Sequence, residues 1–235
     1  MHSFRAIVFT SVLVGLIAGV AISAVQVLGT SSLILKAEVY EQAGEAAVPA
    51  HSHDGKAAAH EHEHDAAAWE PSDGMERTLF TIAANVLTAI GYALVLAGLI
   101  ALRGQPITWR DGLLWGMAGF ACVMLAPMLG LPPELPGTPV APLAERQIWW
   151  IGTVAATAAG LGLIAFRREP WAAILAILLI VAPHLVGAPA APEGEHALAP
   201  EALEHQFVVA AVLTSLVFWT LLGSLSGVFL RKFAD

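Results

Sequence analysis

The chain has 235 residues, of which 57% are hydrophobic and 13% are charged, and its formal net charge at pH 7 is −8. Soluble domains carry about 25% charged residues, so this composition excludes an ordinary water-soluble fold and favours a membrane-spanning protein. The single cysteine excludes a disulfide framework.

Runs of about 20 apolar residues are typical of membrane-spanning helices. We therefore predict an all-α polytopic membrane protein, a single membrane domain over residues 1–235 with about six transmembrane helices. The predicted spans cover residues 1–35, 78–102, 112–129, 148–166, 171–186 and 207–230. The fifth is short and contains Pro183, so a five-span count that omits it stays open.

The first span has a feature of a signal peptide, because the basic residue Arg5 precedes its apolar run. That run extends from Ala6 to Leu28, which is longer than the roughly 7–15 apolar residues of a signal peptide. We therefore interpret it as a retained helix, with cleavage after Ala24 as the alternative.

The connections between the spans differ in charge across the membrane. One side collects seven of the eleven basic residues, namely Arg5, Arg103, Arg110, Arg167, Arg168, Arg231 and Lys232. The opposite side holds sixteen of the nineteen acidic residues. Because basic loops stay in the cytoplasm, we predict a bacterial inner (cytoplasmic) membrane protein with cytoplasmic N- and C-termini and an acidic outer surface.

The connection predicted between the first two spans, residues 36–77, is extracytoplasmic and rich in histidine. Its imidazoles belong to His51, His53, His60, His62 and His64. Imidazole binds cobalt, nickel, copper and zinc, and the neighbouring carboxylates add attraction for cations. We interpret this tract as an outer metal-collecting antenna, and a solvated polar linker is the alternative.

The stretch from His60 to His64 also matches the H-E-x-x-H pattern of zinc proteases. That motif requires an amphipathic helix, and this stretch has no apolar face, so a protease is disfavoured. The sequence contains no nucleotide-binding loop, paired catalytic carboxylates or Ser/His/Asp set. We therefore predict that the protein is not an enzyme and has no tightly bound cofactor.

Two segments of the chain resemble each other and indicate internal repetition. Leu125–Gly130 ends the third span, Val181–Gly187 ends the fifth, and each continues into a proline-containing acidic loop. The following spans open with the similar triplets Glu145–Gln147 and Glu204–Gln206. We predict three helical hairpin repeats, formed by spans 1–2, 3–4 and 5–6, as in repeat-built transporters. Reuse of Pro, Gly and Glu at helix ends is the alternative.

Transporters place ions where proline breaks a helix, and the chain has two such helix breaks, at Pro127 and Pro183. Met128 and His184 occupy equivalent positions after them, and Met124 lies one turn before Met128. We predict these three side chains as candidate intramembrane metal ligands. Apolar packing of the methionines and outward snorkelling of His184 are the alternatives.

Carboxylates open the returning spans at Glu76, Glu145 and Glu204, with His205 beside the last of them. One interpretation is an acidic outer vestibule, which the three hairpins would assemble. The alternative is that each carboxylate stabilises the N-terminus of its own helix.

Several motifs of the chain match a known family. They are Leu33–Glu41, Ala84–Thr88, Gly112–Gly116, Leu125–Gly137, Arg146–Trp150 and Pro183–Pro189. With these motifs the chain resembles the CbtA family of probable cobalt transporter subunits over nearly its whole length, except about residues 44–72. The resemblance implies Co²⁺ as the substrate, uptake that supports cobalamin synthesis, and a small one-span, His-rich, CbtB-like partner subunit. A histidine tract is expected on that partner, so its presence here leaves open whether the partner is needed.

These features together favour membrane transport of a divalent transition-metal cation, with cobalt uptake as the specific expectation. Two other functions stay open: a metal-binding membrane scaffold or accessory subunit, and a transporter of nickel or copper, since these metals also accept imidazole. The expected partners are membrane lipid, the metal cation and the one-span subunit, and no nucleic acid.

Overall fold

A computed structural model describes residues 2–47, 71–192, 194 and 196–234 of the chain. The five histidines predicted as an antenna lie outside the described residues. The helical elements of the described residues are α1 (His2–Leu28), α2 (Thr30–Ala47), α3 (Met75–Leu102), α4 (Trp109–Phe120), a π-helical turn (Ala121–Leu125), α5 (Ala126–Met128), α6 (Leu143–Phe166), α7 (Pro170–Val186) and α8 (Glu201–Ala234).

Five helical stretches in the described part of the chain are long and apolar enough to cross a membrane. They are Phe4–Leu28, Met75–Leu102, Trp109–Met128, Leu143–Phe166 and Glu201–Phe233. The apolar α7 has 17 residues, which reach about 25 Å, close to the lower limit for a span. The structure thus confirms the prediction of an all-α polytopic membrane protein, in which α7 is shorter than each of the five candidate spans.

The described beginning of the predicted 36–77 loop is helical. Gly29 separates α1 from α2, and α2 continues to Ala47. Its buried residues Leu33 and Ala37 recur at four-residue spacing, and the helix packs against α8. Glu38 of α2 forms a two-bonded ion pair with Arg77 at the start of α3, and one of the two bonds is 3.1 Å long. This pair ties α2 to the start of the second span.

Helices α1, α3, α4 and α8 pack into a four-helix bundle that holds the larger hydrophobic core. A Cβ added at Gly15 of α1 would lie 2.6 Å from the backbone nitrogen of Ile90 in α3, so these two helices approach closely. The ring of Tyr92 packs against Trp219 of α8, with ring centroids 5.0 Å apart. The bundle is therefore the close-packed body of the molecule.

The contact between α4 and α8 depends on glycine in both helices. Gly112 and Gly116 of α4 face Gly223 and Gly227 of α8. A Cβ added at Gly116 would lie 2.2 Å from the carbonyl oxygen of Trp219, and one added at Gly223 would lie 2.4 Å from that of Gly112. Only glycine allows two helix backbones to approach this closely.

Helices α6 and α7 form a second packing unit. A Cβ added at Gly160 of α6 would lie 2.9 Å from the carbonyl oxygen of Ala176 in α7, so these backbones are also close. α7 packs mainly on α6, and α6 meets the rest of the molecule mainly through the π-helical turn and α5. The junction between the two packing units therefore lies at the Pro127 break.

The packing of the later helices differs from the predicted hairpins. α1 and α3 pack on each other as predicted, but α4 packs chiefly on α8, and α6 chiefly on α7. The facing glycines of α4 and α8 favour this pairing, because they allow the two backbones to approach closely.

Candidate functional site

The helix that begins at Trp109 widens just before Pro127. Within the π-helical turn, the N–H of Ala126 donates to the carbonyl of Ala121, five residues earlier. Pro127 has no N–H, and in a regular α-helix its ring would clash with the carbonyl of Val123. The wider turn relieves that clash, and π-helical turns of this kind are frequent at functional sites.

A cavity of about 750 Å³, here called the Pro127 cavity, opens beside this turn. It lies between the π-helical turn with α5 on one side and the first turns of α6 on the other, next to the Pro-rich loop. Its walls are formed by Val123, Met124, Pro127, Met128, Leu131, Pro132, Pro133, Glu134, Leu143, Arg146, Gln147, Trp150 and Ile151.

An ion pair between Arg146 Nη2 and Glu134 Oε2 lies in the wall of this cavity. The side chains are 28% and 22% exposed, so both charges are largely withdrawn from solvent. Burial raises the pKa of the Glu134 carboxyl, and the Arg146 guanidinium opposes that effect without cancelling it. The Nε atom of Arg146 is buried and has no hydrogen-bond partner among the described residues.

Met124 and Met128, which lie one turn apart, both line the Pro127 cavity beside Trp150. Thioether sulfur is a soft metal ligand as well as an ordinary packing atom. The structure therefore brings two of the predicted ligands next to a carboxylate that was not predicted as one.

His184, the third predicted ligand, does not line this cavity and packs instead against Trp149 of α6. Their ring centroids are 5.9 Å apart in an edge-to-face arrangement. Trp149 Nε1 donates to the carbonyl of Pro183 at 3.2 Å. The Nε2 atom of His184 is buried without a hydrogen-bond partner in the described part of the chain. Trp149 of α6 thus contacts the Pro183 segment, and the next residue, Trp150, lines the Pro127 cavity.

The residues predicted as a vestibule lie in different surroundings. Glu76 accepts a hydrogen bond from the N–H of Ser72 at 3.2 Å, before the start of α3, whereas Glu145 is exposed. The Oε1 atom of Glu204 is buried without a hydrogen-bond partner among the described residues. His205 is 76% exposed. In the ranges that the structure describes, no group of three or more His, Cys, Asp or Glu could hold a metal ion, and the vestibule stays a prediction.

A family model described as "Probable cobalt transporter subunit (CbtA)" matches residues 4–231, nearly the whole chain. The chain belongs to the CbtA family. Searches of curated proteins and of solved structures found no match. The family description supports cobalt transport at the level of the family, and the word subunit in it implies a further component.

Glu134 and Arg146 were not predicted from the sequence as site residues, although both line the cavity of this CbtA-family chain. A signal was available, because Glu134 lies inside the motif Leu125–Gly137 and Arg146 opens the next apolar span. Charges that border apolar spans are costly unless they are paired. Two opposite charges on either side of a short Pro-rich loop therefore predict an ion pair.

Proposed function

We propose that this CbtA-family subunit carries Co²⁺ into the cell through the Pro127 cavity, and that the uptake supports cobalamin synthesis. The observation that carries the proposal is the Glu134–Arg146 ion pair in the wall of a cavity at a helix break. A carboxylate withdrawn from solvent is costly to maintain and attracts divalent cations. The methionines beside it add soft ligand atoms of a kind that late first-row metals accept.

In the proposed pathway, Arg146 occupies the carboxylate that the entering cation needs. Co²⁺ displaces the Arg146 guanidinium from the Glu134 carboxylate. It keeps part of its water shell and gains the thioether of Met124 or Met128 as a ligand. Competition between Arg146 and the metal for one carboxylate keeps binding weak enough for release, as transport requires.

The position of the cavity supports a role in conformational change. It lies where the four-helix bundle meets the α6–α7 unit, whose main attachment is the π-helical turn and α5. A small rigid-body movement of α6 and α7 about that turn exposes the cavity to one side of the membrane at a time.

Three further parts of the proposal concern the surface of the molecule. The termini are cytoplasmic and the acidic connections are outside, which the charge asymmetry of the sequence supports. The antenna histidines concentrate cations at the outer surface. A CbtB-like one-span subunit is the proposed partner, which the family's description as a subunit supports.

Uptake of radioactive Co²⁺ into proteoliposomes that contain the purified full-length chain tests the proposal. We expect saturable uptake by the wild type and about tenfold slower uptake with Glu134→Gln, because the charge that attracts the cation is lost. The matched control is Glu201→Gln, which changes a carboxylate that is 86% exposed and should leave uptake unchanged.

The other outcomes discriminate between the remaining functions. Co²⁺ binding without uptake, in the presence of the partner as well, would support a metal-binding scaffold. Faster uptake of nickel or copper than of cobalt would support a transporter of those metals. Equal uptake by the wild type and Glu134→Gln would exclude this pathway.

A further inference from the structure

A second cavity, of about 330 Å³, lies between α1, α2, α3 and α8 and shares no lining residue with the Pro127 cavity. Gln26, Thr30, Asn85, Thr214 and Ser215 contribute amide and hydroxyl groups to its wall. Its lining residues include no charged side chain, imidazole or sulfur. We call it the hydroxyl cavity, because its chemistry differs from that of the cavity with methionine and glutamate.

The hydroxyl groups of this cavity have no partner in the described part of the chain. Thr30 and Thr214 are each 8% exposed, and neither these two nor Ser215 makes a side-chain hydrogen bond to another described residue. Ser11 and Ser23 in the same bundle behave differently, since each donates at 2.8 Å to the carbonyl four residues earlier. Unpaired hydroxyls are costly in a bilayer, so this cavity is suited to a polar occupant.

The amide groups of the cavity are oriented by a hydrogen-bond network. Ser23 Oγ donates to the carbonyl of Gly19, so it can only accept from Asn85, whose Nδ2 lies 2.9 Å away. The same nitrogen donates to Gln26 Oε1 at 2.6 Å. Both hydrogens of the Asn85 amide are thereby used, and its oxygen remains as an acceptor. Apart from the amide nitrogen of Gln26, the groups left free at this cavity are therefore oxygen atoms.

One nearby carboxylate adds negative charge to the surroundings of the cavity. Glu204 lies three and seven residues before Phe207 and Ala211, which line the cavity, so it shares their face of α8. Its Oε1 atom is buried without a described partner. One carboxylate thus lies on the face of α8 that lines the cavity, one turn before Phe207.

We propose that the hydroxyl cavity binds a monovalent alkali cation, Na⁺, through hydroxyl and amide oxygens, with the charge balanced by Glu204. Neutral oxygens coordinate Na⁺ in transporters, whereas cobalt, nickel and copper favour nitrogen or sulfur ligands. The volume equals that of about ten water molecules, so the ion keeps several waters. Na⁺ binding at this cavity does not depend on the proposed function, whereas the use of Na⁺ as the driving ion rests on the proposed Co²⁺ uptake.

Binding of ²²Na⁺ to the purified full-length chain in lipid nanodiscs, without cobalt, tests the site. We expect saturable binding by the wild type, and about tenfold weaker binding with the double substitution Thr214→Val and Ser215→Ala. The control pair is Thr157→Val and Ser226→Ala, which removes two buried, unpartnered hydroxyls outside the cavity and should preserve Na⁺ affinity.

A second variant, Thr30→Val, keeps the test decisive if the double variant does not fold as judged by gel filtration. It removes one nearly buried hydroxyl from α2 and should also weaken ²²Na⁺ binding. No saturable binding by the wild type, or unchanged affinity in a folded Thr30→Val variant, would overturn the site.

Transport assays in proteoliposomes distinguish Na⁺ binding at the hydroxyl cavity from the use of Na⁺ as a driving ion. An inward Na⁺ gradient should accelerate Co²⁺ uptake by the wild type and have no effect on the folded hydroxyl-cavity variants. Co²⁺ uptake that ignores the gradient would overturn coupling, even with Na⁺ bound. Na⁺ binding without any Co²⁺ uptake would leave the site intact and contradict the proposed function instead.

Discussion

At the scale of single residues, Glu134 is subject to two opposing effects. Withdrawal from solvent favours its neutral form, and the Arg146 guanidinium favours its charged form. The raised pKa of Glu134 shows that burial is the larger effect. The Glu134 carboxyl is therefore neutral at a pH at which exposed glutamates are still ionised.

We expect Co²⁺ uptake to fall as the pH falls, with a midpoint above the usual pKa range of glutamate. Uptake falls with falling pH because the folded protein favours the protonated Glu134 carboxyl, whereas Co²⁺ binding needs the ionised carboxylate. The contribution of Glu134 to stability accordingly runs the opposite way and is lost as the pH rises through its raised pKa. Initial rates in proteoliposomes between roughly pH 4 and pH 8 measure the effect on uptake.

The control for this pH dependence is Glu134→Gln, in which the residual rate should lack the Glu134 titration. Glu201→Gln, which changes an exposed carboxylate, should retain the wild-type profile. Identical pH profiles for the wild type and Glu134→Gln would contradict the assignment of the titration to this carboxyl.

His184 gives a second prediction at this scale. Replacing His184 by Ala should reduce Co²⁺ uptake while expression is maintained, because an unpartnered buried Nε2 atom beside a helix break is available to a passing cation. His196→Ala is the matched control, since His196 is exposed. Wild-type flux in His184→Ala would remove this residue from the pathway.

At the scale of helices, glycine decides which ones pair. The sequence shows Gly112 and Gly116 as a small-residue motif, but the partner motif, Gly223 and Gly227, lies more than a hundred residues away. The facing carbonyls leave no room for a side chain on either helix. Association in a bilayer relies on such close packing, because lipid and apolar side chains are equally hydrophobic.

Replacing Gly223 by Leu should force α4 and α8 apart and lower the Tm in detergent by roughly 5 °C or more. The control is Gly98→Leu in α3, where a Cβ would meet nothing within 4 Å. Thermal unfolding followed by circular dichroism, or by retention on gel filtration after heating, measures both variants. Equal Tm values for the two substitutions would contradict the importance of the α4–α8 contact.

At the scale of the whole molecule, the bundle and the α6–α7 unit divide the described chain into two packed parts that meet at the Pro127 cavity. The predicted histidine antenna lies outside the described residues and stays a prediction. Its proposed effect is on local cation concentration, so it should matter only where metal supply limits the rate.

Replacing His51, His53, His60, His62 and His64 by Ser keeps the length of the tract and removes its imidazoles. We expect slower Co²⁺ uptake at low external metal and no change at saturating metal, because the pathway itself is intact. Deletion of residues 51–65 should give the same result. Unchanged uptake at low metal in both variants would support the solvated-linker alternative.

The sequence alone determined the all-α polytopic membrane fold, and it shows where the apolar runs and the two prolines lie. These are local properties, because a bilayer requires about 20 apolar residues in a row, and proline removes its own backbone donor wherever it lies. Family membership was also visible in contiguous motifs, from Leu33–Glu41 to Pro183–Pro189.

Only the tertiary structure decided which helices pair and which side chains share a cavity. Glu134 meets Arg146, and Asn85 meets Gln26, because segments that are distant in sequence come together in space. The pairing of α4 with α8 depends on complementary glycine surfaces, which no single helix specifies. Packing also places the predicted ligands in different surroundings, since Met124 and Met128 line the Pro127 cavity and His184 lies against Trp149.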